Sequence, residues 1–381
     1  VSNLDEALER FHIADLEYAG GRANHGPMAA EALESLGHQA LIPALLDLYV
    51  PRLPPAEKGR VLAGEDLVSA RGRPERRADW VATFEARLER EEDWRTFVGG
   101  VVPDLLPGLF ASAGHGLLRT AHAVRGLERE DSPLRRRELA RGLASWAARE
   151  QTLPGRPGVR ATAEGRSRGL EAFFEALPRS GGGRGAGAAG SAGGDELFIE
   201  AARRLESDAD FRAAIEAAPT PEDGADLEAW LVELARVGAG LYLAHPGARI
   251  AYVHAVTLPV ALRELVPLLG AESARAGAGY VLQALAALHA LFDERGGQEE
   301  GAGAGEVAWG VVGAPAAAAL DPSTESWDEI RYRAACSIQE HAIKLAEACW
   351  RLHAVTPDRV FRRAAADAAL RLEGSRSAGG C

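Results

Sequence analysis

Ten histidines and two lysines hold most of the chemistry this sequence offers. Of 43 basic residues, only Lys58 and Lys344 are lysine, and the rest are arginine. Lysine can lose its proton when buried, whereas a guanidinium effectively cannot. A lysine kept in an arginine-rich chain can mark a position where arginine would not serve, and chance survival of a few lysines is the plain alternative. Lys344 lies in Gln339-Glu340-His341-Ala342-Ile343-Lys344-Leu345. The spacing of three sets His341 and Lys344 on one helix face. At about 100° per residue, His341 falls with Ile330, Ala334, Ile338, Leu345 and Ala348, and Lys344 sits at the edge of that apolar face. Two chemistries suit such a lysine. A desolvated amine acts as a base or nucleophile. A neutral amine also takes up carbon dioxide, and the carbamate offers an anionic oxygen to a metal. The plain alternative is a lysine whose head snorkels to solvent.

Three further histidines stand out by context. His25 sits in Asn24-His25-Gly26-Pro27-Met28 at the opening of a helix, beside one of two asparagines and the sole methionine. His115 lies between Gly114 and Gly116 in an apolar helix, with His122 seven residues on and on a similar face. His254 lies in Tyr252-Val253-His254-Ala255-Val256-Thr257, just before Pro259. A single histidine on an apolar helix is more often a packed core residue than a ligand, so each counts only in combination. Several imidazoles and one carbamate oxygen suit a first-row metal, with iron the choice for oxygen chemistry. A nitrogen and oxygen set does not favour an iron–sulfur cluster.

The elements that must position these groups read as helices. Apolar residues recur at helical spacing over 28–36, 38–49, 76–98 with a break, 104–127 after Pro103, 133–150 from Ser132-Pro133, 195–217, 224–244, 248–268, 272–294, 324–353 and 357–372. Asn24 is the candidate N-cap of the first and Gly37 its C-terminal stop. No run of alternating β-branched residues and no Asn-Gly or Asp-Gly hairpin signal appears. The expectation is an all-α chain, one large multi-helix domain over 1–381. Gly-rich insertions fall at 179–194 and 296–306. They read as insertions because candidate residues lie on both sides of them. Gly185, Gly187 and Gly190 spell GxGxxG, but no strand precedes them and no helix opens on them, so they make no dinucleotide fingerprint. There is no GxxxxGK[ST], HExxH or His-Asp dipeptide, which counts against P-loop enzymes, zincins and helical metal-dependent phosphohydrolases.

Composition excludes more. Charged residues are 26% and hydrophobic ones 47% of the 381, the profile of a globular protein. With 43 basic against 55 acidic residues the net charge is −12, which argues against general nucleic-acid binding. No uncharged apolar run reaches the roughly 20 residues of a membrane span. The opening VSNLDEALERF lacks the regions of a signal peptide. Cys336, Cys349 and Cys381 form no CxxC pair, so a reducing cytoplasm is the expected compartment.

Four segments together resemble the questin oxidase-like family: NHGPMAAEALESLG (24–37), GHGLLRTAHAVR (114–125), YVHAVTLPVALREL (252–265) and QEHAIKLAEACWR (339–351). They occur in the family's order and span nearly the whole chain. The family is largely helical. It includes enzymes that oxygenate aromatic polyketides, notably anthraquinones, with ring opening by carbon–carbon cleavage. Some members are described as NADPH-dependent Baeyer–Villiger oxidases. Related members look like non-heme iron dioxygenases whose metal is held by four histidines and a carboxylated lysine. The resemblance implies His25, His115, His254, His341 and Lys344 as ligands of Fe(II), with O2 as co-substrate. His122 stands where the family pattern leads one to expect an aromatic residue such as tyrosine, and is a candidate for substrate contact. Arg119 is the candidate to stabilise a phenolate or oxyanion, and Tyr252, Thr257 and Trp350 are candidates to line the pocket. The partner is then a small aromatic polyketide, with a separate reductase if NADPH supplies electrons. A non-catalytic helical protein binding an aromatic ligand is the reading from a different class.

Overall fold

Helix starts in this chain are marked by capping side chains, which satisfy N–H groups that a helix leaves open. Ser2 accepts from the Asp5 N–H and opens Asn3–His12. Ser132, followed by Pro133, accepts from Arg135 and opens Pro133–Ala148. Asp226 does the same for Leu227–Ala244 and Asp358 for Arg359–Arg371. Ser326 and Glu329 form a reciprocal capping box on Trp327–Cys336. The computed structural model describes residues 2–179, 201–292 and 325–372. Both Gly-rich insertions, from 180 onward and at 296–306, lie outside the described residues, as does the GxGxxG tract.

The fold is all-α. A cluster of buried side chains runs in sequence from Leu16 to Leu372, so helices from both ends of the chain share one core. At its centre is Arg249–Leu265, which packs against Leu227–Ala244, His115–Arg129, Ala271–Phe292 and Glu340–Val355. Its most apolar window has a mean hydropathy of 1.2, enough in length and composition to cross a membrane, but 72% of that window is buried among the other helices. It is the core helix of this fold, and it carries His254. Leu227–Ala244 comes close to it at Gly238, where a methyl group would stand 2.2 Å from the Ala255 carbonyl oxygen. His115–Arg129 packs on Pro133–Ala148 with Gly116 against Trp146.

Several expectations change. Residues 104–127 are not one helix: Trp94–Leu105 contains Pro103, and a new helix begins only at His115. The break is conformational. Ser112, Ala113 and Gly114 all take positive φ (47°, 58° and 86°), which no right-handed helix can accommodate. Residues 324–353 are likewise two helices, Trp327–Cys336 and Glu340–Val355, parted at Ile338 with φ 49°. A short antiparallel hairpin, Glu17–Tyr18 with Arg22–Ala23, appears where no strand was expected. Its turn uses Gly20 and Gly21 at positive φ, a signal without the usual Asn-Gly or Asp-Gly pair. The segment 38–49 opens as a 3-10 turn before Ile42–Tyr49.

Candidate metal centre

Three of the four singled-out histidines sit at helix starts. His25 is the N-cap residue of Gly26–Ser35, the place expected for Asn24. Asn24 still serves that start, because its side-chain oxygen accepts from the Gly26 N–H at 3.0 Å. Gly26 has no side chain because Phe11 packs there: a Cβ would lie 2.2 Å from its ring. His115 is the first residue of its helix, and the left-handed turn at 112–114 aims it inward. His341 lies one residue into Glu340–Val355, whose N-cap is Gln339. His254 comes from the buried middle of Arg249–Leu265.

These imidazoles converge. His25 Nε2 and His115 Nε2 are 2.7 Å apart, and His254 Nε2 is 3.3 Å from His115 Nε2. The His341 ring lies 4.9 Å from that of His25 and 6.0 Å from that of His254, between centroids. Ligand atoms of His25, His115 and His341 all fall within 4.8 Å of one another. Lys344, on the helix of His341 and 1% exposed, is buried against the group.

The outer ring nitrogens fix which inner ones are bare. His115 Nδ1 donates to the Ser112 carbonyl. His254 Nδ1 faces the Ile250 and Ala251 carbonyls at 3.1 and 3.2 Å. A carbonyl only accepts, so both Nδ1 atoms carry the hydrogen and both Nε2 atoms present lone pairs. His25 Nδ1 is 3.5 Å from the Tyr49 hydroxyl, whose oxygen also accepts the His25 backbone N–H at 2.9 Å. Two bare nitrogens about 3 Å apart repel unless a cation stands between them. Two nitrogens each about 2.0–2.1 Å from one ion are themselves about 3.0–3.4 Å apart; His254 and His115 have that spacing at 3.3 Å, and His25 and His115 stand closer at 2.7 Å. The donor set fits a first-row transition metal, and the outer hydrogen bonds are the kind that orient metal-bound imidazoles.

Burial is the main cause that pushes all four imidazoles well below their ordinary pKa, His254 to about 3, and the Lys344 charge adds to it. His12 is also lowered, and His122 falls to about 4, again chiefly by burial. The folded metal-free chain thus holds six neutral rings that return to a pKa of about 6.5 on unfolding. Below pH 6.5 the unfolded state binds more protons than the folded one, so stability falls as pH falls. It is complete above pH 6.5 and is lost downward, for His254 as far as about pH 3. Each ring contributes a slope of about 1.4 kcal/mol per pH unit. We expect the urea midpoint of the metal-free protein to drop steeply between pH 6.5 and 4.5. A flat midpoint over that range would contradict a neutral cluster.

The other candidate residues go elsewhere. Arg119 is paired with Glu138 through Nε at 2.6 Å and Nη2 at 3.0 Å, in a buried group with His12. His122 Nδ1 is 2.5 Å from Glu31. Tyr252 lies against His245, ring to ring at 4.5 Å, and its hydroxyl is 2.9 Å from His289 Nδ1. The Thr257 hydroxyl donates to the Val253 carbonyl at 3.1 Å. Trp350 is only partly buried and takes the Arg331 guanidinium over its ring at 4.8 Å. Nothing in the sequence pattern pointed to Tyr49, Glu31 or Glu347. Gln339 was within reach, since an amide two residues before His341 can cap that helix, and its oxygen accepts the Ala342 N–H at 2.7 Å. Gly165-Arg166-Ser167-Arg168-Gly169 also matches GxSxG, the nucleophile-elbow spacing. The motif requires a strand leading into a helix. Here Ser167 ends the five-residue helix Ala163–Ser167 and donates to the Glu164 carbonyl at 2.8 Å, so it is no elbow.

Fold and site together define a helical protein with a buried cluster of four histidines and a lysine. No family model, curated protein or solved structure matches the chain.

Proposed function

We propose that the protein is a mononuclear non-heme iron oxygenase that opens a ring of an anthraquinone-like aromatic polyketide with O2. His25, His115, His254, His341 and a carboxylated Lys344 would hold the metal. The observation that carries this reading is the meeting of the His25, His115 and His254 Nε2 atoms at 2.7 and 3.3 Å, with His115 and His254 tied back to carbonyls through Nδ1. The four-segment resemblance adds the reaction and substrate class.

Iron bound at such a centre supplies the one-electron chemistry that lets O2 react with a closed-shell ring. The chain supplies the rest. The backbone carbonyls of Ser112, Ile250 and Ala251 keep His115 and His254 in the tautomer that presents Nε2. Burial keeps the rings neutral and ready to bind. Lys344 as a carbamate would exchange a positive head for an anionic oxygen: the ammonium gives up one proton, and the neutral amine nitrogen then bonds to carbon dioxide and releases a second. Apolar helix faces around the cluster exclude water, which strengthens each charge interaction within. The free thiols of Cys336 and Cys349 agree with a cytoplasmic setting.

The test is oxygen uptake by iron-loaded protein over a panel of hydroxyanthraquinones, with labelled O2. The reading expects uptake that depends on iron, both labelled atoms in the ring-opened product, and no NADPH consumed. Stoichiometric NADPH use with one labelled atom would replace it with a Baeyer–Villiger monooxygenase. Iron-independent binding of the ligand without turnover would replace it with a carrier.

A further inference from the structure

A second buried group lies between the helices Asn3–His12, His115–Arg129 and Pro133–Ala148, apart from the histidine cluster. It contains His12, Arg119, Glu138 and Arg141, with Arg119, Glu138 and Arg141 at 2%, 4% and 4% exposure. Glu138 is the shared carboxylate. Arg119 grips it through two nitrogens, and His12 Nε2 donates to it at 3.0 Å. Arg141 has no carboxylate of its own and gives Nη2 to the Ala14 carbonyl. The acids nearest to it are engaged elsewhere: Asp15 is held by Arg77 at 2.7 and 2.6 Å, and Glu85 faces Arg137 at 3.6 Å.

Two guanidiniums therefore share one carboxylate in a buried setting. Three of the group's nitrogens, Arg119 Nη1, Arg141 Nε and His12 Nδ1, are buried with no hydrogen-bond partner among the described residues. An unmet N–H on a buried cation is costly, and such groups in native proteins mark a bound water or ion. The excess of one positive charge decides between the two, because a neutral water leaves that charge uncompensated.

We propose that this group is a binding site for one small inorganic monoanion, a halide or hydrogencarbonate, which accepts from Arg119 and Arg141. Burial and the neighbouring Arg119 both push Arg141 down, to about 10, as expected for a cation short of a counter-charge. The anion would restore balance and tie the first helix to the pair that carries His115. Hydrogencarbonate has the hydrogen-bonding chemistry for all three nitrogens, since its hydroxyl can donate to His12 Nδ1 while its oxygens accept. A halide fits the two guanidiniums alone. The inference does not depend on the metal centre.

The test uses the full-length protein in two arms. Crystals soaked in sodium bromide are measured at the bromine edge, and melting temperature is followed against bromide and against hydrogencarbonate at fixed ionic strength. An anomalous peak within hydrogen-bond reach of Arg119 Nη1 and Arg141 Nε, with a saturable rise in melting temperature, establishes a halide site. A saturable rise with hydrogencarbonate only, lost in Arg141→Met, establishes the oxyanion. No peak at saturating bromide, with no saturable response to either anion, overturns the proposal and leaves water as the occupant. The soak needs no variant, so the result stands even if Arg141→Met does not fold.

Discussion

Lys344→Arg is expected to purify with less than a tenth of the metal of the native protein. The substitution keeps a positive charge and a long side chain, so a solvent-seeking lysine would be replaced at little cost. At this position the charge has nowhere to go. Lys344 is 1% exposed and acts electrostatically on all four imidazoles. A fixed cation about 4 Å from a divalent ion, at an effective dielectric of about 20, opposes binding by about 8 kcal/mol. Arginine cannot lose its proton or form a carbamate. Lys344→Ala separates charge from size: it removes the repulsion and the oxygen together, and added propionate should restore part of the metal. Metal analysis on the three proteins checks the argument. Full metal in Lys344→Arg would remove Lys344 from the centre.

Arg125→Met should unfold the protein at a markedly lower temperature and loosen the metal site with it. Arg125 lies between two buried carboxylates, bonded to Glu31 through Nε at 3.2 Å and to Glu347 through Nη1 at 3.0 Å. Burial alone would raise Glu31, but Arg125, His122 and Arg129 outweigh it and hold that carboxyl well below its usual range. Glu31 belongs to the helix behind His25, Arg125 to that of His115, and Glu347 to that of His341 and Lys344. One guanidinium thus pins together three of the four helices that carry the cluster. Removing it leaves two buried acids facing each other, a loss of about 3–5 kcal/mol. For a chain of this size that is a fall of about 4–6 °C in melting temperature. Arg125→Met with Glu31→Gln should recover part of the loss, because it removes one of the two opposed charges. A melting temperature within 2 °C of native, by about the same scaling, would show that the network is idle.

How much of this could be read from the chain divides along physical lines. Helix starts were legible where the cap is local, as at Ser132-Pro133, because the bond joins residues three apart. Lys344 stood out because composition made lysine rare, and the four histidines because local context and the four-segment resemblance singled them out among ten. Their meeting is a product of tertiary packing, and His25 and His115 are 90 residues apart in sequence. The same distance hid the charge networks. Nothing near Arg119 names Glu138, and nothing near Arg125 names Glu31 or Glu347. The interruptions at Ser112–Gly114 and at Ile338 were hidden for another reason. Serine, alanine and isoleucine do not announce a left-handed backbone, and the surroundings impose it there. Both turns stand three residues before a histidine of the cluster, so periodicity failed beside the site.

The central claim is that the converging imidazoles are a metal site. The most direct test is metal content by inductively coupled plasma mass spectrometry, on protein purified without chelator or metal-affinity resin, beside His254→Ala and His341→Ala. The account requires close to one iron per native chain and a large loss in both variants, each still folded by circular dichroism. Native protein without metal, which also binds no iron(II) when it is supplied under argon, would contradict it.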